Sequence, residues 1–159
     1  MSSHHLLLAA CLSFAVSVVS CGNALPTQAL VRRVIDGDTV ELADGRLVRY
    51  IGVDTPEVRR RSGDTWVMDP EPYALASTEA NRRLVEGQRV RLEYDVQTHD
   101  RYGRLLAYVY VRDTFVNAVL LEGGYAQLLT IPPNVKHADE FRALAKDARR
   151  AGRGLWRAD

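Results

Sequence analysis

The sequence predicts an α+β fold, a small β-barrel with helices packed against it. Three observations predict it. Three strand-like runs follow one another early in the body with only short turns between them. Two more alternating runs come after a helical segment, and further helical segments close the chain.

The elements are justified in order. Ala29–Val34 is rich in branched aliphatic residues and reads as a strand. Asp36-Gly37-Asp38 makes a turn, and Thr39–Leu42 alternates. Ala43-Asp-Gly-Arg46 places an Asp-Gly turn signal between two strand-like runs, which predicts a hairpin. Leu47–Val53 continues as a strand, so the three runs form a meander. Arg59–Pro72 has no apolar period, carries Pro70 and Pro72, and reads as a loop. Tyr73–Val85 is helical through Ala74, Ala76, Ala80 and Leu84, with Gly87 just past its end. Arg89–Val96 alternates as a half-buried strand, and Arg104–Val111 is another, after the Asp100–Gly103 turn. Phe115–Glu122 is a short helix stopped by Gly123-Gly124, Tyr125–Leu129 is extended, and Pro132-Pro133-Asn134 turns. Lys136–Ala151 is amphipathic, with Phe141, Leu144, Ala145 and Ala148 on one side and Gly152 as its stop. Five strands and three helices in this order fit a five-stranded OB-fold barrel with packed helices. Other small barrels with helices share the pattern.

At 159 residues, 47% hydrophobic and 26% charged, the chain suits one globular domain. A net charge of +1 gives no global basic field. All of its basic residues except Lys136 and Lys146 are arginine, the side chain whose planar fork matches phosphate oxygens in pairs. Leu6–Ser20 is an uncharged apolar run, shorter than the roughly 20 residues of a membrane span, and it fits a secretory segment. Val18-Val-Ser-Cys21 resembles a bacterial lipobox, in which the cysteine is lipidated and becomes the first mature residue. The usual Lys or Arg before such a run is replaced here by His4 and His5. The organisation expected is therefore a signal segment over 1–21, a tether over 22–28 and a folded domain over 29–157. No cysteine follows Cys21, so packing alone must stabilise the body.

Three blocks carry chemistry. In Val34-Ile-Asp-Gly-Asp-Thr-Val40, Asp36 and Asp38 share a face if the segment is extended, and Gly37 permits close approach. A solvated Asp-Gly-Asp turn has the same letters. In Arg49-Tyr-Ile-Gly-Val-Asp-Thr-Pro-Glu57, Pro56 restricts Thr55 to an extended conformation and stiffens its carbonyl. Two carboxylates, a carbonyl and waters are the ligand set of calcium, and the lack of nearby histidine or cysteine argues against zinc. An acidic turn without metal is the alternative. In Asp100-Arg-Tyr-Gly-Arg104, Arg104 opens a strand and, with Arg49, can grip phosphate. His99 and His137 have no partner in sequence and receive no role. The runs Arg59–Arg61 and Arg149–Arg150 read as solvated faces, with substrate contact an alternative for the first.

These blocks resemble the signature blocks of the staphylococcal nuclease family, the thermonucleases. Val116-Asn117, Gly124-Tyr-Ala126 and Gly154-Leu-Trp156 resemble its later segments, so the likeness runs from about Ala29 to Trp156. The resemblance implies a five-stranded OB barrel with three helices and calcium-dependent cleavage of DNA and RNA, leaving 3′-phosphate ends. By position, it implies Asp38, Asp54 and the Thr55 carbonyl as metal ligands and Glu57 beside the attacking water. It implies Arg49 and Arg104 on the phosphate, and Arg101 and Tyr102 on nucleotide phosphate and sugar. Asp36 matches a nearby acid that is not a main ligand. The expected protein is an exported monomer that meets a membrane only through lipid at Cys21. One departure stands out. Where family members place base-stacking tyrosines, this chain has Leu128-Leu-Thr-Ile-Pro-Pro133. Trp66 and Tyr73, in or next to the Arg59–Pro72 segment, offer a substitute platform. A non-cutting nucleic-acid-binding module and a phosphodiesterase for small nucleotides are the rival readings.

Overall fold

A computed structural model describes residues 24–157. The expected signal segment, its Cys21 and the first residues of the expected tether lie outside the described residues. Leu25 packs against the core, and Pro26 accepts a hydrogen bond from the Tyr94 hydroxyl at 2.9 Å.

The chain begins with β1 (Gln28–Val34), β2 (Thr39–Leu42) and β3 (Leu47–Tyr50), an antiparallel meander. β2 is buried along its whole length, including Glu41, whose carboxylate accepts from Arg32 and Arg33 of β1. The predicted run Leu47–Val53 is not one strand. Gly52 sits at φ +82, a left-handed conformation that turns the chain out of the barrel into β4 (Gly52–Asp54). A Cβ on Gly52 would lie 2.5 Å from the Phe141 ring, so both its conformation and its space require glycine.

The predicted Arg59–Pro72 loop is also corrected. It holds a hairpin, β5 (Arg59–Ser62) and β6 (Thr65–Met68), paired Arg59 to Met68 and Arg61 to Trp66. Its side chains are nearly all exposed, so it lacks the half-buried alternation that marks a strand. After it come α1 (Ala74–Val85), β7 (Arg89–Glu93), β8 (Leu105–Val111), the two-residue β9 (Thr114–Phe115), α2 (Val116–Glu122), β10 (Gln127–Leu129) and α3 (Ala138–Arg150). A 3-10 turn, Gly154–Trp156, ends the described chain.

The sheet runs β3-β2-β1-β7-β8-β9, and β3 also pairs parallel with β8, Val48 beside Leu105 and Arg49 beside Leu106. That pairing closes β1, β2, β3, β7 and β8 into a five-stranded barrel, with β9 as an added edge and three helices outside. The α+β OB barrel expected from the sequence is therefore the observed architecture. β10 pairs with β4 rather than with the barrel. The core joins barrel side chains such as Val40, Leu42, Val48 and Leu105 to Leu120 and Leu121 of α2 and Phe141 of α3. Phe141, Ala145 and Ala148 are buried in α3, three of the four positions named for its apolar face, and Leu144 packs partly buried beside them.

Two buried asparagines tie helices to the barrel. Asn117 of α2 accepts from the Val109 amide at 2.9 Å and donates to the Ile51 carbonyl at 2.8 Å, where β3 gives way to β4. Asn81 of α1 donates to the Asp36 carbonyl at 3.1 Å and accepts from the Tyr50 hydroxyl at 2.9 Å. A buried amide without such partners costs about 1–3 kcal/mol, so these bonds fix the helices in register. Asn81 in particular holds the Asp36–Asp38 turn. No helix among the described residues is long and apolar enough to cross a membrane.

Candidate active site

Barrel closure decides where the arginines meet. Arg49 projects from β3, and Arg104 immediately precedes β8, the strand that pairs with β3. Both line one open cavity of about 520 Å³, together with Glu57, Arg101 and Tyr102.

The acidic side of the site is built on a close approach of two loops. Asp36–Asp38 is bent rather than extended, so the conditional expectation of a shared face does not apply. Asp36 instead accepts the Asp38 amide at 3.1 Å. Asp38 is fully buried, and each of its oxygens is engaged. One accepts from the Thr55 amide at 2.8 Å and the Thr55 hydroxyl at 2.9 Å; the other accepts from the Thr39 hydroxyl and from Arg49. The loops can come this close because residue 37 is glycine. A Cβ there would stand 2.7 Å from the Thr55 side chain.

Arg49 spans both carboxylates. One terminal nitrogen donates to Asp38 and the other to Asp54 at 2.6 Å, with Asp54 half exposed. The structure thus brings Asp38, Asp54, Thr55 and Arg49 into one hydrogen-bonded group, in which the two carboxylates engage the two terminal nitrogens of one guanidinium. The acidic and hydroxyl groups here offer oxygen and no nitrogen or sulfur ligand, a chemistry that suits a hard cation such as calcium better than zinc. Among the described residues no three His, Cys, Asp or Glu side chains cluster as a metal cage. A metal here would depend on two carboxylates, a carbonyl and water.

Asp36 and Glu57 are both shifted. Burial pushes the Asp36 carboxyl up, against a Thr39 hydrogen bond and the charges of Arg49 and Arg104. Burial also pushes Glu57 up, aided by Asp36, Asp54 and Glu71 and opposed by Arg49. Glu57 is held at its backbone, where its amide donates to the Glu71 carboxylate at 2.9 Å.

Asp100 organises the opposite wall. Its carboxylate accepts the Tyr102 amide at 2.9 Å, the Arg104 amide at 3.0 Å and the Arg104 Nε at 2.6 Å. Burial opposes its ionisation, but Arg104 and these backbone bonds outweigh burial and hold it below the ordinary carboxylate range. Arg104 keeps its terminal nitrogens for other partners, because its Nε is what Asp100 engages. Arg101 stands over the exposed Tyr102 ring, 4.8 Å from its centre, and donates to its hydroxyl at 2.6 Å. Leu129 and Ile131 line the cavity where the sequence lacks aromatics. Tyr73 is half-buried and packs against Tyr125, ring centres 6.2 Å apart, so it is less free than Trp66 to act as a platform.

Sequence reasoning gave no role to Asp100 or Asn81. Asp100 had a signal, a carboxylate four residues before an arginine across a Tyr-Gly turn. Asn81 had none, since its partners lie far away in the chain.

A sequence model described as staphylococcal nuclease homologue matches residues 47–158. The chain is 39% identical to the thermonuclease of Staphylococcus intermedius, over 80% of this chain and 74% of that protein. It is 37% identical to the thermonuclease of Staphylococcus hyicus, over 79% and 73%. An endonuclease of Bacillus subtilis is 36% identical over 78% of this chain and 59% of its own length.

Proposed function

Since the chain belongs to the staphylococcal nuclease family, and is a nuclease of that type, we propose that it is an exported, calcium-dependent enzyme. Its proposed substrates are the phosphodiester bonds of DNA and RNA, cut to leave 3′-phosphate ends. The observation that carries this reading is Arg49 reaching Asp38 and Asp54 at once while lining the cavity that also holds Arg104 and Glu57.

In this reading Asp38, Asp54 and the Thr55 carbonyl hold calcium, which when bound supplies positive charge against the phosphate and a polarised water. Arg49, whose terminal nitrogens reach Asp38 and Asp54, would turn them toward phosphate oxygens. Arg104, fixed through Nε by Asp100, presents its own from the facing wall. Together they stabilise the extra negative charge that develops on five-coordinate phosphorus. Glu57 orients the attacking water or takes its proton. The water oxygen bonds to phosphorus as the bond from phosphorus to the 5′-oxygen breaks; that oxygen takes up a proton from solvent and leaves as a hydroxyl, and phosphate stays on the 3′ side. Arg101 and Tyr102 contact phosphate and sugar. Few base contacts are available in such a site, so broad sequence tolerance follows.

Digestion of a defined oligonucleotide in calcium, followed by analysis of the new termini, tests the reaction. The expected products carry 3′-phosphate and 5′-hydroxyl ends; 5′-phosphate ends would contradict the proposed geometry. For location, the reading puts the barrel outside the cytoplasm, anchored by lipid on Cys21. Labelled lipid should enter the wild-type chain and not Cys21→Ser, while an unmodified mature N-terminus downstream of Cys21 would point to simple secretion.

A further inference from the structure

We propose that one face of the β5–β6 hairpin is a second part of the substrate site, which holds unpaired nucleotides flanking the bond to be cut. This inference rests on the nuclease reading above. Cross-strand pairing puts Arg59, Arg61, Trp66 and Met68 on one face, because Arg59 lies opposite Met68 and Arg61 opposite Trp66. That face is unpacked. Trp66 is 68% exposed and Met68 63%, and Leu75 at the start of α1 is 60% exposed.

The hairpin is tied through its base to the segment that carries Glu57. A groove of about 470 Å³ runs between the hairpin and α1, lined by Arg59, Met68, Leu75 and Arg82. It extends to Ile35 and Val58, which adjoin Asp36 and Glu57 in the chain. The backbone holds the hairpin base there, with the Asp69 amide donating to the Val58 carbonyl at 3.3 Å and the Glu71 amide to Glu57 at 2.9 Å.

The chemistry selects a single-stranded nucleic acid. Arg60, on the other face, is paired with Asp69, whereas Arg59 makes no ion pair among the described residues. Arg61 meets Asp64 only at 3.6 Å, and both partners are well exposed. Arginines two residues apart along a strand stand roughly 7 Å apart and can follow the phosphates of an extended chain. The indole beside them offers a stacking surface that is sequence-tolerant, because every base has a π-face. An unpaired base exposes that face and a base within a duplex does not.

The test compares a long single-stranded oligonucleotide with a dinucleotide too short to reach the hairpin, both in calcium. Trp66→Ala should raise KM for the long strand on the order of tenfold, as for a lost stacking contact. The ratio of kcat/KM for the long strand to that for the dinucleotide should fall by the same factor. Arg59→Gln with Arg61→Gln should flatten the salt dependence of log KM by about 1.4, at about 0.7 per phosphate contact on a single strand. Wild-type protein should lose tryptophan fluorescence on binding the oligonucleotide, and Trp66→Ala should not. Equal ratios for wild type and Trp66→Ala, with an unchanged salt slope, would overturn the hairpin site and leave the nuclease reading intact. Failure of the wild type to cut either substrate would overturn the nuclease reading itself.

Discussion

Arg49→Lys and Arg104→Lys should each slow DNA hydrolysis on the order of 10²-fold or more, the loss seen when a transition-state donor is removed. Lysine keeps the charge but presents a point rather than a fork, so it cannot bond two oxygens in parallel. The two variants should differ in stability. Arg49 is largely buried and spans Asp38 and Asp54, so lysine there leaves a buried acceptor poorly satisfied. A penalty of about 1–3 kcal/mol follows. Arg104 is more exposed and its turn is also held by backbone bonds to Asp100, so Arg104→Lys should melt close to wild type. Single-turnover rates combined with thermal melts check both halves. Near wild-type turnover in either variant would remove that arginine from the transition state.

The second large effect belongs to the carboxylates, and burial separates them. Asp54→Asn should shift the calcium needed for half-maximal rate strongly upward with little loss of stability, because Asp54 is half exposed and, among the described residues, pairs only with Arg49. Asp38→Asn should do the same and also destabilise the fold. Asp38 is wholly buried and joins Thr39, Arg49 and Thr55, and removal of one member of a buried pair costs about 3–5 kcal/mol. Calcium titrations of activity, run below the melting temperature of each variant, separate the two contributions. Unchanged titrations in both would place the metal elsewhere.

Particular residues show how much was legible beforehand. The Asp44-Gly45 hairpin was readable from its Asp-Gly turn signal between two strand-like runs, and Gly45 does take a positive φ of 88°. The β5–β6 hairpin was not, because exposed strands carry no alternation. The break at Gly52 was hidden because a glycine letter does not say whether its φ is positive, and the ring that leaves no room for a side chain there is Phe141, far away in the chain. The letters of the site were present in three short blocks. Their joining was not. The meeting of Arg49 with Arg104 in one cavity depends on barrel closure between β3 and β8, and the Asn81 brace on Asp36 depends on the docking of α1. Gly37 was readable as a point of close approach, but only the fold identifies Thr55 as its neighbour.

The central claim is that these residues form a calcium-dependent phosphodiester-cleaving site. Hydrolysis of long DNA by the purified protein, first in EDTA and then after stepwise addition of calcium, magnesium or zinc, tests it most directly. The account predicts no cutting in EDTA and the best recovery with calcium. Full activity in EDTA, or recovery with zinc and not calcium, would contradict it.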